Sequence, residues 1–539
     1  MGLTNYHKIL IISVICLGSA LNLNAQLIKD ETLALANSDQ TGVTSLHDAS
    51  RIGRTSGSKA TEFQELYDYE TGGKSLIDAT FPYQSFLHKA YVIMLCEQKI
   101  INITEAKTIL KGLEKVDILA NKTPSLRVYL PYESALIKEI GSVGGKMHIG
   151  RSRNDLDNTT QRMFLRDQLL NLIESIIRFR IVLKDKAIDN LETVMVVYTH
   201  RKEAQPITLA HYLTAIDESM GKVLDRYIEL YSRINQSPLG SGASGGTSWP
   251  LDRVRVANLL GFDKVSINTI EGVAGWDYVA EFASDNAIYM SDLSRFASEI
   301  QLWSTDEYGS VELDNSFAGI SSMMPQKKNP DALERTRKAS ALTVGQLISI
   351  LTSLNSIEYQ HSGVRLSIEP RSLNAVMAAT HAMTGLTATL KINKETMLQY
   401  ARQNFSTMTD LADLLVRETN LDFRDAHELI AAVVNDALSE NKKADQITLK
   451  MIQKAAKKQI GHELKITEKQ LQEALDPVQS VARKKGLGMP AVSSVNQMIA
   501  SSNQDIKIKT NWLNTQKAKL EETNSNLKRL ITNLSLIIK

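Results

Sequence analysis

The sequence runs to 539 residues with a net charge of +2, 43% hydrophobic and 23% charged residues. That balance describes a globular protein too long for one compact core. A charge so near zero, with no block of five or more like charges, gives no electrostatic basis for binding nucleic acid or an anionic membrane.

The chain opens with a segment unlike the rest. Lys8 precedes a mostly apolar run at 9–21, and small residues follow up to Ala25. This is the charged, apolar and small-residue order of a secretory signal. The run falls short of the ~20 apolar residues that a membrane span needs. Export with cleavage after Ala25, periplasmic or secreted, is therefore expected, leaving no membrane contact after signal removal; anchoring by residues 9–21 is the alternative. Cys16 would leave with the signal. Cys96, alone in the apolar stretch YVIMLCEQ, then lacks a partner for an internal bridge and reads as a packed side chain rather than a nucleophile.

Residues 26–58 are polar and weakly periodic and read as an arm. From 60 to 140 apolar residues recur every three or four positions, as at Phe86, Ala90, Ile93 and Met94, and a Thr104–Glu105–Ala106 start begins a further helix. Residues 160–186 are apolar nearly all round, the pattern of a helix buried in a bundle. Long helical patterns follow at 208–234, 276–304, 331–357 and 372–402, and β-like alternation is scarce. The low proline and aromatic content, 11 prolines and 6% aromatics, agrees with helix. Residues 404–485 hold shorter helices. Ile506, Leu513, Leu520, Leu527 and Leu534 then recur every seven residues with no Gly or Pro between them. That spacing predicts one helix with an apolar seam, packed on its own protein or on a sister chain. The expected fold is all-α, with three helical domains. They are an N-terminal domain at 45–155, a central bundle of long helices at 156–403 and a small domain at 404–490, followed by a helical extension at 491–539.

Three Gly/Ser-rich breaks, at 141–154, 237–250 and 316–330, interrupt the helices, and loops on rigid helices are where function concentrates. The third reads GISSMMPQKKNPDALE at 319–334. Asn329 followed by Pro330 predicts a helix start with Asn at the cap, whose amides and positive dipole end favour an anion. Lys327 adds a full charge, so a serine here ionises more readily than a free one.

The same loop resembles the signature of the fumarase/aspartase superfamily, GSSxMPxKxNP, with Ile320 in place of its glycine, and PQKKNPD at 325–331 is similar to argininosuccinate lyases in particular. HIGRSRNDLDNT (148–159), YTHRKEAQP (198–206), PLGSGASGG…WPLDR (238–253), WDYVAEF (276–282), TDLADLLVR (409–417), FRDAHELI (423–430) and DPVQSVARKKG (476–486) extend the resemblance over most of 80–500. It implies Ser321 as the base that removes a Cβ proton. Lys327 and Asn329 would hold the substrate carboxylate, and His200, paired with Glu334, would protonate the leaving group. Ser152, Arg153, Asn154, Thr199, Ser322, Arg253 and Tyr359 are implied as substrate-binding.

The chemistry suits these residue types. Removing a proton beside a carboxylate leaves a dianionic aci-carboxylate, which needs fixed positive charge and aimed donors, and a leaving amine needs a proton near neutral pH, which a held histidine delivers. The resemblance implies a homotetramer with sites built from several chains. Its substrate would be a small dicarboxylate, an N-substituted aspartate cleaved by anti β-elimination to fumarate and an amine. A catalytically silent relative with a binding or structural role, and a lyase acting on C–O or C–C bonds, are the alternatives.

Other matches carry less. GSGASG at 240–245 fits GxGxxG, but no β-run precedes it, so no dinucleotide is expected. The 10 histidines show no HExxH or similar spacing, so neither metal nor other cofactor is expected. Asp410 and Asp413 read as facing solvent or capping helices. The pattern departs from the family around the amine half of the substrate. LPYESALIKEIG (130–141) stands where a DIH-type segment is usual, Lys202 replaces a glutamine, and the tyrosine segment reads YQHSGVRLS from Tyr359 to Ser367. A guanidinium leaving group would be poorly paired there, so argininosuccinate is expected to be a poor substrate.

Overall fold

The computed structural model describes residues 60–63, 65, 75–355 and 357–536; the signal, Cys16 and the arm at 26–58 lie outside them. Helices α1 (Leu76–Glu97), α2 (Ile103–Lys122) and α3 (Tyr129–Ile140) come first. They close around Leu87, Tyr91, Leu95, Ile109, Leu113, Tyr132 and Leu136. Helix α2 starts one residue before the expected turn. Asn102 caps it and Glu105 reciprocates on the Asn102 amide, which satisfies two otherwise orphan donors.

Helix α4 (Arg153–Ile188) has 36 residues, about 54 Å at 1.5 Å per residue. A hairpin of β1 (Val194–Thr199) and β2 (Lys202–Thr208) turns the chain back into α5 (Leu209–Ile234). Short helices α6 (Arg253–Leu259) and α7 (Thr269–Ala274) lead to α8 (Asp277–Trp303), α9 (Asp331–Asn355) and α10 (Pro370–Thr389). The long helices run up and down around a core that includes Ile173, Phe179, Leu224, Tyr227, Phe282, Tyr289 and Phe296.

Two buried arginines inside this core have close partners. Arg180 reaches Asp217 at 2.7 Å and Asp505 at 2.5 Å, and Arg162 stacks 3.8 Å from the Tyr278 ring.

Three expectations are corrected. The pattern at 372–402 is two helices, because Lys391–Ile392 pairs with Val311–Glu312 and Asn393 caps a new helix, α11 (Lys394–Gln403). The hairpin at 194–208 was hidden among helical patterns, although its VMVVYT run is rich in β-formers. Asp410, on α12 (Met408–Glu418), is buried. It accepts 2.7 Å from Ser480 and lies 3.5 Å from Lys484, so neighbouring cations and a hydroxyl replace the water that a sequence reading assumes.

After α12, helices α13 (Phe423–Ser439), α14 (Leu449–Ile460) and α15 (Glu468–Leu475) share a small core of their own. Helix α16 (Pro477–Arg483) follows, and then α17 (Val492–Leu536), a single helix of 45 residues. Its heptad seam packs on its own chain. Ile506, Leu513 and Leu527 are buried, and Leu520 and Leu534 are partly so. Cys96 is partly buried against the N-terminal core, and burial pushes its thiol pKa up, which suits a packed side chain. No helix among the described residues is long and apolar enough to cross a membrane.

Candidate active site

One end of the bundle carries the start of α4. Ser152 is its N-cap: the hydroxyl accepts from the Asn154 amide at 3.3 Å, and Asp155 Oδ1 accepts from the Ser152 amide at 2.9 Å. Arg153 is exposed, while Ser152 and Asn154 are half-buried. Behind this turn Asp155 Oδ2 accepts from the amides of Gly240 and Gly242, each at 2.9 Å. Both glycines have positive φ, at 86° and 59°, a conformation that side chains resist. Arg253 spends its donors on this same loop, at Leu239 O (3.1 Å), Ser241 Oγ (3.2 Å) and Ser266 O (2.9 Å). Its observed contacts, through Nε and Nη2, hold the loop.

The tyrosine segment lies at the same end. Tyr359 is exposed and donates its phenol to Glu271, which pushes its pKa up to about 12. Arg365 donates to Val273 O and His361 Nδ1, both at 2.8 Å, and stacks 4.2 Å from the Trp276 ring. With Nδ1 accepting, the proton of neutral His361 sits on Nε2. Burial, and then the charges of Arg365 and Arg153, lower its pKa. Asp157, one helical turn beyond Arg153, lies at this same end. Its crowded surroundings push it up to about 6, against the pull of Arg153. The sequence reading passed over Asp157, His361 and Arg365. The i, i+4 spacing of Arg153 and Asp157 on one helix was the available signal; nothing in the sequence announces the other two.

The opposite end carries the remaining motifs. Thr199 pairs with Lys202, so His200 and Arg201 form a two-residue turn with φ of 54° and 59°. Hairpins favour such turns, but usually with Asn or Gly. Two adjacent non-glycine residues in left-handed geometry store strain of the kind that collects at functional sites. Thr199 and His200 are exposed.

The 319–330 loop is a second, smaller hairpin in which Gly319–Ile320 pairs with Lys328–Asn329. Asn329 Nδ2 donates to Ile320 O at 3.2 Å. Pro330 O accepts from the Glu334 amide at 3.2 Å, so the residue before α9 that takes the capping position is Pro330, not Asn329. The antiparallel pairing claims the asparagine that the sequence assigned to the cap. The two lysines also divide. Lys328 is tied to Glu312 at 2.9 Å and to Leu313 O, whereas Lys327 is exposed beside exposed Ser322. Ser321 Oγ accepts from the Met324 amide at 3.0 Å, which leaves its own proton free to point outward.

The expected His200–Glu334 pairing is absent from the protomer. Glu334 instead accepts from Gln301 Nε2, at 3.4 Å. More broadly, Ser152, Arg153, Asn154, Arg253 and Tyr359 lie at one end of the bundle, and Thr199, His200, Ser321, Ser322, Lys327, Asn329 and Glu334 at the other. Helix α4, about 54 Å long over its 36 residues, runs from the first group towards the second. Among the described residues no group of three or more His, Cys, Asp or Glu is placed to hold a metal ion.

Residues 125–345 match the Lyase family and residues 405–482 the argininosuccinate lyase C-terminal family. Argininosuccinate lyase of Methanococcoides burtonii is 39% identical over 436 residues, covering 79% of this chain and 87% of the relative. That of Methanocaldococcus jannaschii is 37% identical over 419 residues, covering 76% and 85%. Among solved structures, EDDS lyase in complex with formate superposes with a TM-score of 0.89 at 55% identity, covering 91% of this chain and 99% of the other. The 3-carboxy-cis,cis-muconate lactonizing enzyme from Pseudomonas putida, with a TM-score of 0.64 at 18% identity over 84% of this chain and 98% of that one, shares the fold alone.

Proposed function

Because the chain belongs to the argininosuccinate lyase family, and is a carbon–nitrogen lyase that releases fumarate, we propose that it works as a homotetramer whose sites join opposite ends of different protomers. The observation that carries this reading is the separation of the motifs: no single copy brings Arg153 and Ser321 within reach of one small substrate. Helix α9 adds support. It presents Val344, Ile348 and Leu351 along one face at 37%, 59% and 49% exposure, surface that a second copy covers.

In the assembled site Ser321 takes the Cβ proton of the succinyl group. Lys327, Asn329 and the positive end of α9 favour the serine alkoxide and the aci-carboxylate that forms. His200 gives a proton to the departing nitrogen as the Cα–N bond breaks, so fumarate and a neutral amine leave, with Ser321 protonated and His200 neutral.

The amine half of the substrate is acidic. Arg153, Arg365 and a His361 Nε2 donor lie together at one end, offset only in part by Asp157, and the hairpin tip adds exposed Arg201 and Lys202, so a cationic leaving group meets net like charge. A substrate of the kind named for EDDS lyase fits better than argininosuccinate. The chain also carries an export signal, with cleavage after Ala25, on the strength of Lys8 and the short apolar run at 9–21.

The test is addition of amines to fumarate, followed by loss of its ultraviolet absorbance. Amines bearing carboxylates should react and arginine should react poorly. Ser321→Ala should lower kcat by about two to four orders of magnitude, the range for losing a proton-transfer group. Efficient turnover of argininosuccinate, at about 10⁴ M⁻¹s⁻¹ or more in kcat/KM, would overturn the acidic-amine assignment. A Ser321→Ala enzyme that keeps most of its activity would overturn the base.

A further inference from the structure

The turn that presents Ser152, Arg153 and Asn154 is flanked by two buried, oppositely charged residues with no part in the chemistry above. Asp155 is fully buried and Arg151 is 6% exposed. Asp155 makes three hydrogen bonds to backbone amides. One goes to Ser152, at the head of its own helix; the others go to Gly240 and Gly242, about 85 residues further on, all three at 2.9 Å. One carboxylate thus joins two loops that contribute little apolar surface of their own to the core.

The glycine loop is shaped for this contact. A side chain at Gly242 would meet Gly246 O at 2.8 Å, and one at Gly240 would meet Arg253 Cγ at 2.8 Å. Arg151 lies on the other flank. Its guanidinium sits 4.7 Å from the Tyr91 ring and 5.7 Å from the Tyr129 ring, and none of its side-chain nitrogens has a hydrogen-bond partner. A buried cation without hydrogen bonds is costly unless aromatic faces and a nearby anion compensate it. Asp155 is that anion: burial raises its pKa, and Arg151 and the three amides oppose the rise.

We propose that Arg151 and Asp155 are positioning residues that clamp the 152–154 turn, Arg151 against the tyrosine faces and Asp155 against the amides of Gly240 and Gly242. The alternation follows from the chain itself. Residues 151 and 155 point into the protein, which leaves 152–154 to face the cleft at a fixed height above the glycine loop. The proposal rests on the reading that this turn touches substrate. Displacing such a turn by ~1 Å is enough to cost about a hundredfold.

The experiment measures fumarate binding to the assembled full chain by calorimetry. Asp155→Asn keeps the size of the side chain but can accept on one side only, so its NH2 must face the N–H of Ser152 or those of Gly240 and Gly242. It should weaken fumarate binding by about tenfold or more, and Arg151→Met should act in the same direction. Asp217→Asn serves as the control: it breaks the buried pair with Arg180 in the middle of the bundle, and should lower the thermal midpoint while leaving fumarate affinity within about twofold. Wild-type affinity in Asp155→Asn, or an equal loss of affinity in the control, would overturn the clamp; wild-type affinity in Arg151→Met would remove that residue from it. Should Asp155→Asn fail to fold, Gly242→Ala carries the test, since it pushes the loop away while sparing the carboxylate, and unchanged affinity there overturns the clamp equally. A wild-type enzyme that binds no fumarate would overturn the substrate role of the turn, and the clamp with it.

Discussion

Mixing two inactive variants tests the shared site most directly. Arg153→Ala damages one end of the bundle and Ser321→Ala the other, and each alone should be nearly inactive as a homotetramer. Arg153 stands at the start of α4 and Ser321 at the end of the bundle to which that helix runs, a helix about 54 Å long over its 36 residues, so a site needing both draws them from different chains. When the two variants are denatured together in equal amounts and refolded, the chain supplying residue 153 is intact in half of the sites. The chain supplying residue 321 is intact in half as well. Independent choice restores about one quarter of the sites. Fumarate release by the mixture should therefore approach about 25% of wild type, far above either parent. Native mass spectrometry should show mixed assemblies. Mixed assemblies that stay as inactive as their parents would refute the shared-site argument, because both intact residues would then have to come from one chain.

Asp285 supplies a pH test of the fold. It is 8% exposed, Oδ2 lacks a hydrogen-bond partner, and burial, with Glu281 nearby, pushes its pKa up to about 6. Its folded pKa thus lies above the unfolded value, so its contribution is most favourable below about pH 4 and is lost as pH rises through 6. Asp285→Asn should stabilise the protein by roughly 1–3 kcal/mol at pH 8 and by about a third as much near pH 4.5. Denaturation midpoints that shift equally at both pH values would count against the burial argument. For export, N-terminal sequencing of protein from the native host should begin at Gln26, and material that still begins at Met1 would end that assignment.

Local chemistry made much of this protein legible in its sequence. Apolar residues at three- and four-residue intervals located α5, α8 and α9 to within a residue or two, because a helix bound for a bundle must repeat its buried face with every turn. The seven-residue spacing of Ile506, Leu513 and Leu527 gave the tail and its seam. The signature loop, with RSRND and YTHRK, gave the family and a set of candidate residues, since proton removal beside a carboxylate needs those side chain types. What the sequence lacked was the distance between them and the use to which each donor is put. Asn329 closes a hairpin, Lys328 is tied down where Lys327 is free, and Arg253 holds a glycine loop, all through partners remote in sequence. Asp155, Arg151 and His361 gain their meaning only from burial and from neighbours up to hundreds of residues away. Tertiary structure alone set the motifs at opposite ends of one bundle, because a straight helix of 36 residues cannot fold back to bring its own ends together.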